Sequence, residues 1–532
     1  MSYLDVPRLH FAGGFRADPS TVNNEPDNYD PDATLQLMWN PAGKHDFSLR
    51  ECTVRSAVDA SGVVRRTVAE DALVSGPVVA SRPAKLVDLD PSFQTGSQIW
   101  GLELRVSAAP GGGRMGGRMA TATMRDVWFE RGPEGFAKGV GAAYQSVLTD
   151  LSWEPGSGSP VLEELRRISP ERLSVKFVAY AYDADNNPNN PQFTRGRIVG
   201  TIGPVQPGEP DHFLAARRAS ADPAHVLGSR ESIFAAYGAV PFKLDPARNV
   251  VVLDLGNAVP EKTGGGEPTD LGTMRAEILE PPRETLGSID YSKANYEITA
   301  GINELAVTPE QAQRLASAQF GITVSPPSGP LVAITERPAG LYVDATETVW
   351  RMDPDATESV ELVATRFGAP LAGHHLSLDV SGQPASALSL AASSVQTDDA
   401  GRATVSFTAA SPGHPREHLD GQCYVVGFYD GEHASPSNKL GQLHIRVFDR
   451  QSPVADPTWT DVRSIFTPYA RLYPSMQDVF NLDDEDVVRQ HLEQVRQRLN
   501  LPLEDPLYMP VTRDLSRDKR GLLLRWLDRG AP

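Results

Sequence analysis

Turn-forming residues interrupt this chain so often that long helices have little room. Its 532 residues include 45 glycines and 44 prolines, above the roughly 12% that these two types contribute to an average protein. A proline inside a helix costs about 3 kcal/mol, whereas a short strand accepts a turn at either end. Between the turns, apolar residues alternate. CTVRSAV (52–58) and IWGLELRVSA (99–108) both read at period two, the spacing of a half-buried strand. The fold class expected is mainly β and multi-domain: an irregular β-rich N-terminal body, an immunoglobulin-like β-sandwich and a small α-helical C-terminal segment.

Length and pattern together divide the chain into three parts. Residues 1–330 read as the β-rich body, divisible into two subdomains. Within it, 173–205 is strand, long turn, strand, and 240–260 is a hairpin turning at Asp245–Asn249. APGGGRMGGRMAT (109–121) reads as a hairpin-like loop, and 134–151 as a helix weakened by glycines. SPVLEELRRIS (159–169) is a short helix with Pro160 early and acidic residues in its first turn. Thr308, Pro309 and Glu310 mark another helix start. Residues 331–452 carry short strands at regular spacing, including 359–382, 397–413, 422–431 and 441–449, the signature of a sandwich. Residues 453–532 turn helical. A helix from Trp459 breaks or kinks near Pro468. A second starts near Asn481 and carries Val488, Leu492, Val495 and Leu499 on one stripe. A short amphipathic helix closes the chain.

The formal net charge of −18 comes without a basic block, which argues against a nucleic-acid surface. No run of 18 apolar residues offers a membrane span. The first residues lack the basic start and unbroken apolar core of a signal peptide, because Asp5, Pro7 and Arg8 interrupt them, so a cytoplasmic location is expected. The two cysteines, Cys52 and Cys423, form no disulfide framework or metal knuckle and read as free thiols, although pairing stays open.

Candidate chemistry is thinly spread. In the N-terminal strand, Arg8 and His10 face one side about 6–7 Å apart and suit a bound carboxylate, with His10 as a candidate acid or base. Arg16 and Asn23 follow as further ligand contacts, and Gly13 and Gly14 permit a close backbone approach. The alternative is a pinned strand with Arg8 paired internally. Asp183, Asp185 and Asn187 start like a calcium loop. Pro188 and Thr194 stand where glycine and a carboxylate are required, which leaves Asn189 and Asn190 as a polar turn or a substrate-facing loop. Tyr508 and Arg513 form a tail pair suited to a carboxylate or to packing against the body. His375, Ser377 and Asp379 imitate a hydrolase triad, but their strand spacing is too wide for relay contacts. His418, Asp420 and His444 have the composition of an iron site without its context. Arg114 and Arg118, on a glycine-rich stretch, are weak phosphate candidates. No metal site is expected.

Several stretches in order resemble a known family: YLDVPRLHFAGGFRADPSTVNN (3–24), GSQIWGLELRVSAA (96–109), NNPNNPQFTRGRIVGTIGP (186–204), NVVVLDLGNAVP (249–260), and the tail YARLYPSMQDVFNLDDEDVV (469–488) with LYMPVTRDLSRDKRGLLLRWL (507–527). They are similar to the N-terminal half of the chromopyrrolate-synthase-like proteins of violacein and rebeccamycin biosynthesis, which couple two tryptophan-derived imines. The resemblance implies secondary metabolism, an aromatic carboxylate-bearing ligand and oxidative coupling or cyclisation. It also implies haem as a cofactor, although no Cys-x-x-Cys-His occurs and no axial ligand is identified. In that family a ferritin-like helical domain follows this region, whereas this chain stops at Pro532 and has no Glu-x-x-His pair of the di-metal type. A ferritin-like partner protein is therefore implied. The 331–450 region resembles bacterial immunoglobulin-like modules. The competing function is a non-catalytic β-sandwich binding or scaffold protein that docks a partner through its C-terminal helices.

Overall fold

The computed structural model describes all residues except 1, 19–42, 91–95, 130–139, 155, 185–193, 212–215, 222–236, 260–267, 328, 417–418 and 532. Strands take 43% of the chain and helices 18%, so the chain is mainly β, as expected. Four units follow one another along it.

The first unit is a 13-stranded antiparallel sheet spanning Arg8 to Gly203. The strand Arg8–Ala17 lies at its centre, paired with Asp46–Val58 on one side and Thr194–Gly203 on the other. The sheet curls until its edge returns. Thr53 bridges Pro77, the Val54 N–H donates to the Gly76 carbonyl (2.9 Å), and the Ser75 N–H donates to the Val54 carbonyl (2.8 Å). Inside the curl pack Phe11, Phe47, Tyr144 and Phe177, with Phe47 and Tyr144 stacked on Phe177 at 6.1 and 5.4 Å. The helix Pro160–Ile168 forms as its sequence requires. Ser159 caps it, Pro160 opens it, and Val161, Leu162 and Leu165 turn into the same core.

One expectation fails here, and one is narrowed: the glycine-rich loop is the hairpin turn that joins Glu103–Ser107 to Arg114–Met119. The segment expected to be helical contains the strand Val140–Glu154. It pairs with Leu173–Ala184, Tyr144 opposite Phe177. Tyr144 and Leu148 face the core, while Ala143 packs against Tyr296 and Ala300 of the next unit. A strand buried on both faces loses its visible alternation. The glycine-rich stretch 109–121 is a tight turn at Gly111–Gly113, followed by the strand Arg114–Met119. Gly117 fits that strand because a Cβ would lie 2.6 Å from Leu151.

The second unit is an eight-stranded sheet from Arg217 to Glu336. It contains the expected hairpin Val240–Asp245/Val250–Asp254 and the helix Pro309–Leu315, whose Thr308–Gln311 capping box satisfies both groups. Phe242 and Phe320 meet in its core at 4.3 Å. The strand Leu331–Glu336 pairs with Phe320–Ser325 and Arg217–Ala221, so the expected domain start at 331 moves to Leu341.

From Leu341 to Val447, two five-stranded sheets pack face to face as the sandwich. One sheet ends with Val349–Met352 lying parallel to the last strand, Lys439–Val447. In the strand His375–Ser381, His375 and Asp379 are exposed, but Ser377 is buried beside Leu376 and Leu378.

The C-terminal segment packs Trp459, Phe466 and Trp526 into one cluster. Its first helix, Trp459–Leu472, runs unbroken through Pro468. The expected single helix after Asn481 is two, Glu485–Gln490 and Leu492–Leu499, joined at His491, and the cap is Asp484. The closing helix is Arg517–Asp528. Both cysteines are free. Among the described residues, no helix is long and apolar enough to cross a membrane.

Candidate functional site

Arg8 and His10 share a face as predicted, but that face is closed. Both are buried. Arg8 Nη2 meets Glu304 Oε1 of the second unit, Nη1 donates to the Leu4 carbonyl (2.8 Å), and Nε donates to His10 Nε2 (3.3 Å). With Nε2 accepting, the ring proton sits on Nδ1 and points at Thr201 Oγ1 (2.9 Å). Burial, then the Arg8 charge, drives the His10 pKa well below its ordinary value. Arg8 thus joins two β units, and His10 is its neutral acceptor. Neither is open to a substrate carboxylate. Gly13 also serves the fold rather than a ligand, since a Cβ there would sit 2.6 Å from the Cys52 Cα.

The other predicted residues do not converge on this strand's start. Arg16 is half-buried near the strand's far end, about 26 Å away along the chain at strand rise. Asn23, Asn189 and Asn190 lie outside the described residues. Tyr508 and Arg513 are both buried. Arg513 donates to the carbonyls of Leu503 (3.2 Å), Asp505 (2.8 Å) and Val511, and lies 5.4 Å from the Trp100 ring and 5.8 Å from Tyr508. Burial pulls its pKa down to about 10. It is an internal clamp on the tail, so the packing alternative describes it better than carboxylate binding. Arg114 and Arg118 are paired with Glu154 and Asp150 at the surface. His418 lies outside the described residues. His444 is buried and pushed down to about 4, first by burial. Among the described residues, no group of three or more His, Cys, Asp or Glu gathers to hold a metal ion.

The strongest polar cluster joins three units. Asp90 of the first unit accepts from Arg416 of the sandwich through both oxygens (2.9 and 2.8 Å). Arg446, on the last sandwich strand, lies 3.3 Å from Asp90 and 3.5 Å from Asp514 of the C-terminal segment. The Tyr469 hydroxyl also donates to Asp514 (3.0 Å). Elsewhere Arg125 pairs with Asp344, Arg218 with Asp126, and Lys176 with Asp254 (2.8 Å), each across a unit boundary. These pairs fix the units relative to one another.

What the sequence reading missed is a cavity of about 390 Å³ between the C-terminal helices and the first unit, within the usual size for a small-molecule site. Phe466, Tyr469, Tyr473 and Phe480 form much of its wall, and Met476, Val495 and Leu499 add to it. Lys44, His45, Lys85 and Arg498 also line it, and no aspartate or glutamate is among its described lining residues. Lys85 is held by Asp46 (2.7 Å) and Lys44 lies 3.7 Å from Asp478. Ser475 Oγ ties the wall to the Gly43 carbonyl (2.9 Å). The available signal was the helical spacing of Phe466, Tyr469 and Tyr473.

His45 is the unusual member. Its backbone is left-handed (φ 57°), its Nδ1 donates to the Leu86 carbonyl (3.1 Å), and Nε2 has no hydrogen-bond partner among the described residues. Burial, then the neighbouring Lys85 charge, lowers its pKa to about 3. To be held by His45, haem, which the resemblance implies, would need this lone pair; His491, Met476 and Met509 also line the cavity. Less than 1 Å² of His45 Nε2 is accessible and the Tyr473 ring stands edge-on at 5.5 Å. A porphyrin iron does not reach it, so His45 does not fit haem as it stands.

No family model and no curated protein matches the chain. Among solved structures it is similar to the D0–D1 domains of intimin (12% identity, 38% of this chain and 93% of that chain, TM-score 0.17). It is also similar to domains 4 and 5 of the S-layer protein SbsC (8%, 43% and 96%, 0.15) and to the teleost fish polymeric Ig receptor ectodomain (9%, 38% and 92%, 0.17). Scores of this size establish no relationship.

Proposed function

We propose that this chain is a non-catalytic binding protein: a rigid β platform that presents its C-terminal helical segment to what it binds. One contrast carries the reading. The cavity of about 380 Å³ between the β units is lined by the charged groups Arg125, Asp126, Arg218 and Asp344, whereas the cavity beneath the helical segment is walled mainly by apolar and aromatic side chains. Its surface also carries exposed Val479, Leu503 and Leu507, the kind of apolar exposure found at interaction sites. A thermal-shift screen of chemically diverse ligands, followed by hydrogen exchange, tests it. Binders are expected to raise the midpoint and to protect 459–528. If every binder protects the β units alone, or none binds, the reading fails.

A finer reading places the chain in secondary metabolism, holding an aromatic carboxylate-bearing intermediate that it transforms or passes to a ferritin-like partner. What supports it is the resemblance of the tail, together with a small-molecule-sized cavity in that same tail. The test is co-purification with a ferritin-like protein encoded beside it. Such a partner is expected to mask Val479 and Leu507, and substitution of both by serine should release it. A complex indifferent to that substitution would count against docking through the helices.

A further inference from the structure

Two arginines oppose each other where the second unit meets the sandwich. The strands Arg217–Ala221 and Leu331–Glu336 pair Ser220 with Thr335 and Ala219 with Glu336. One step further, the same register sets Arg218 opposite Arg337. Arg218 and Ser220 share a face of their strand, and both line the cavity of about 380 Å³ between the β units, as does Arg337. Like charges directly opposite each other on paired strands are destabilising. These two do act on each other. Partial burial, then the Arg218 charge, draws the Arg337 pKa below its ordinary value, although Arg337 keeps much of its contact with solvent.

Only one of the two is neutralised at close range. Arg218 pairs with Asp126. Arg337 donates to the Lys439 carbonyl (2.7 Å) and has no ion pair among the described residues. Asp430 acts on it from beyond ion-pair distance and lies 3.1 Å from His374. Arg125 pairs with Asp344. The described lining thus sets three arginines against two aspartates, and His444, which titrates at about 4, is neutral at pH 7. Among the described residues, Arg218 and Arg337 each use one of five guanidinium N–H groups. Both keep donors that can fork onto a tetrahedral oxyanion. An anion held there turns one repulsion into two attractions.

The lining can also read what carries the oxyanion. The hydroxyls of Ser220 and Thr348 line the cavity and bond no described residue, and the volume suits a small molecule rather than a bare ion. We propose that this cavity binds a small hydroxylated phosphate monoester, its phosphate held between Arg218 and Arg337 and its hydroxyls met by Ser220 and Thr348. The described lining comes from all three β units and includes no residue of the C-terminal helices. The site therefore stands whether or not those helices bind anything, and a bound ester braces the platform beneath them.

The probes are glucose 6-phosphate, inorganic phosphate and glucose, titrated calorimetrically into the full chain at pH 7 and constant ionic strength. The ester is expected to bind about tenfold tighter than inorganic phosphate, and glucose not at all. Arg337→Gln removes one exposed guanidinium and is expected to weaken the ester about tenfold. In the unaltered chain the ester should slow hydrogen exchange in 217–221 and 439–444, a measurement that needs no variant. Inorganic phosphate binding as tightly as the ester would overturn the ester and assign the site to free phosphate. An ester constant unchanged in Arg337→Gln would overturn the arginine pair as the phosphate contact. Protection elsewhere, or binding by neither phosphate, would overturn the site. The platform reading is judged separately, on whether other ligands protect 459–528.

Discussion

Replacing Asp90 by alanine should do more damage than any surface ion pair in this molecule. Asp90 is buried and takes two short bonds from Arg416, with Arg446 at 3.3 Å. The two guanidinium side chains are 7% and 2% exposed, so solvent cannot replace the lost carboxylate. Arg446 keeps Asp514 at 3.5 Å, and Arg416 keeps the Gly421 carbonyl at 2.8 Å. Removing one partner of a buried pair costs about 3–5 kcal/mol, and these remaining contacts place the expectation near the middle, about 4 kcal/mol. The loss falls at the joint between the first unit, the sandwich and the helical segment. Calorimetry should therefore show one cooperative transition splitting into two, with the sandwich melting earlier. A double-mutant cycle with Arg416→Met separates the pair from the packing. The double variant should recover part of the loss, with a coupling of about 2 kcal/mol or more. A loss below about 1 kcal/mol, with the transition unsplit, would refute the claim that this pair ties the units together.

Three further outcomes are expected. His45 titrates near 3 in the folded chain and near 6.5 when unfolded. The unfolded state therefore binds the extra proton between those values, and stability falls as pH drops below about 6.5. From pH 7 to 4.5 this one group withdraws roughly 2–3 kcal/mol, and denaturant melts at the two pH values should show that difference shrinking in His45→Asn, a residue that tolerates the left-handed backbone. Gly13→Ala pushes a Cβ to 2.6 Å from the Cys52 Cα and should cost about 1–3 kcal/mol by overpacking; an unchanged melting midpoint would contradict the register described. Trp526→Ala removes a fully buried ring lying 5.8 Å from Trp459 and 6.3 Å from Phe466. It should cost about 3–5 kcal/mol and loosen the cavity, so hydrogen exchange should quicken in 459–472 ahead of the β units.

The sequence shows local chemistry well and long-range chemistry poorly. Pro160 after Ser159 and Thr308 before Pro309 announce helices because capping is settled within four residues. The hairpin at Asp245–Asn249 is announced the same way. Val140–Glu154 is hidden because both its faces are covered, which erases period two. Arg8 and His10 were placed correctly on one face, yet what that face meets, Glu304, is 296 residues away. Arg513 was read with Tyr508 as a pair suited to a carboxylate or to packing, but it bonds to three carbonyls, while the adjacent Asp514 turns to Arg446 and Tyr469. The cavity joins Gly43–His45 to helices more than 400 residues later, a juxtaposition that no local pattern encodes.

The parallel pairing of Val349–Met352 with Lys439–Val447 sets how the sandwich responds to tension. Its second strand and its closing strand run side by side in the same direction, so a load entering at Val349 and leaving after Val447 slides one strand along the other. The bonds between them lie across that pull and must yield together rather than unzip one by one. A load carried through the sandwich along these two strands therefore meets a shear joint rather than a zipper.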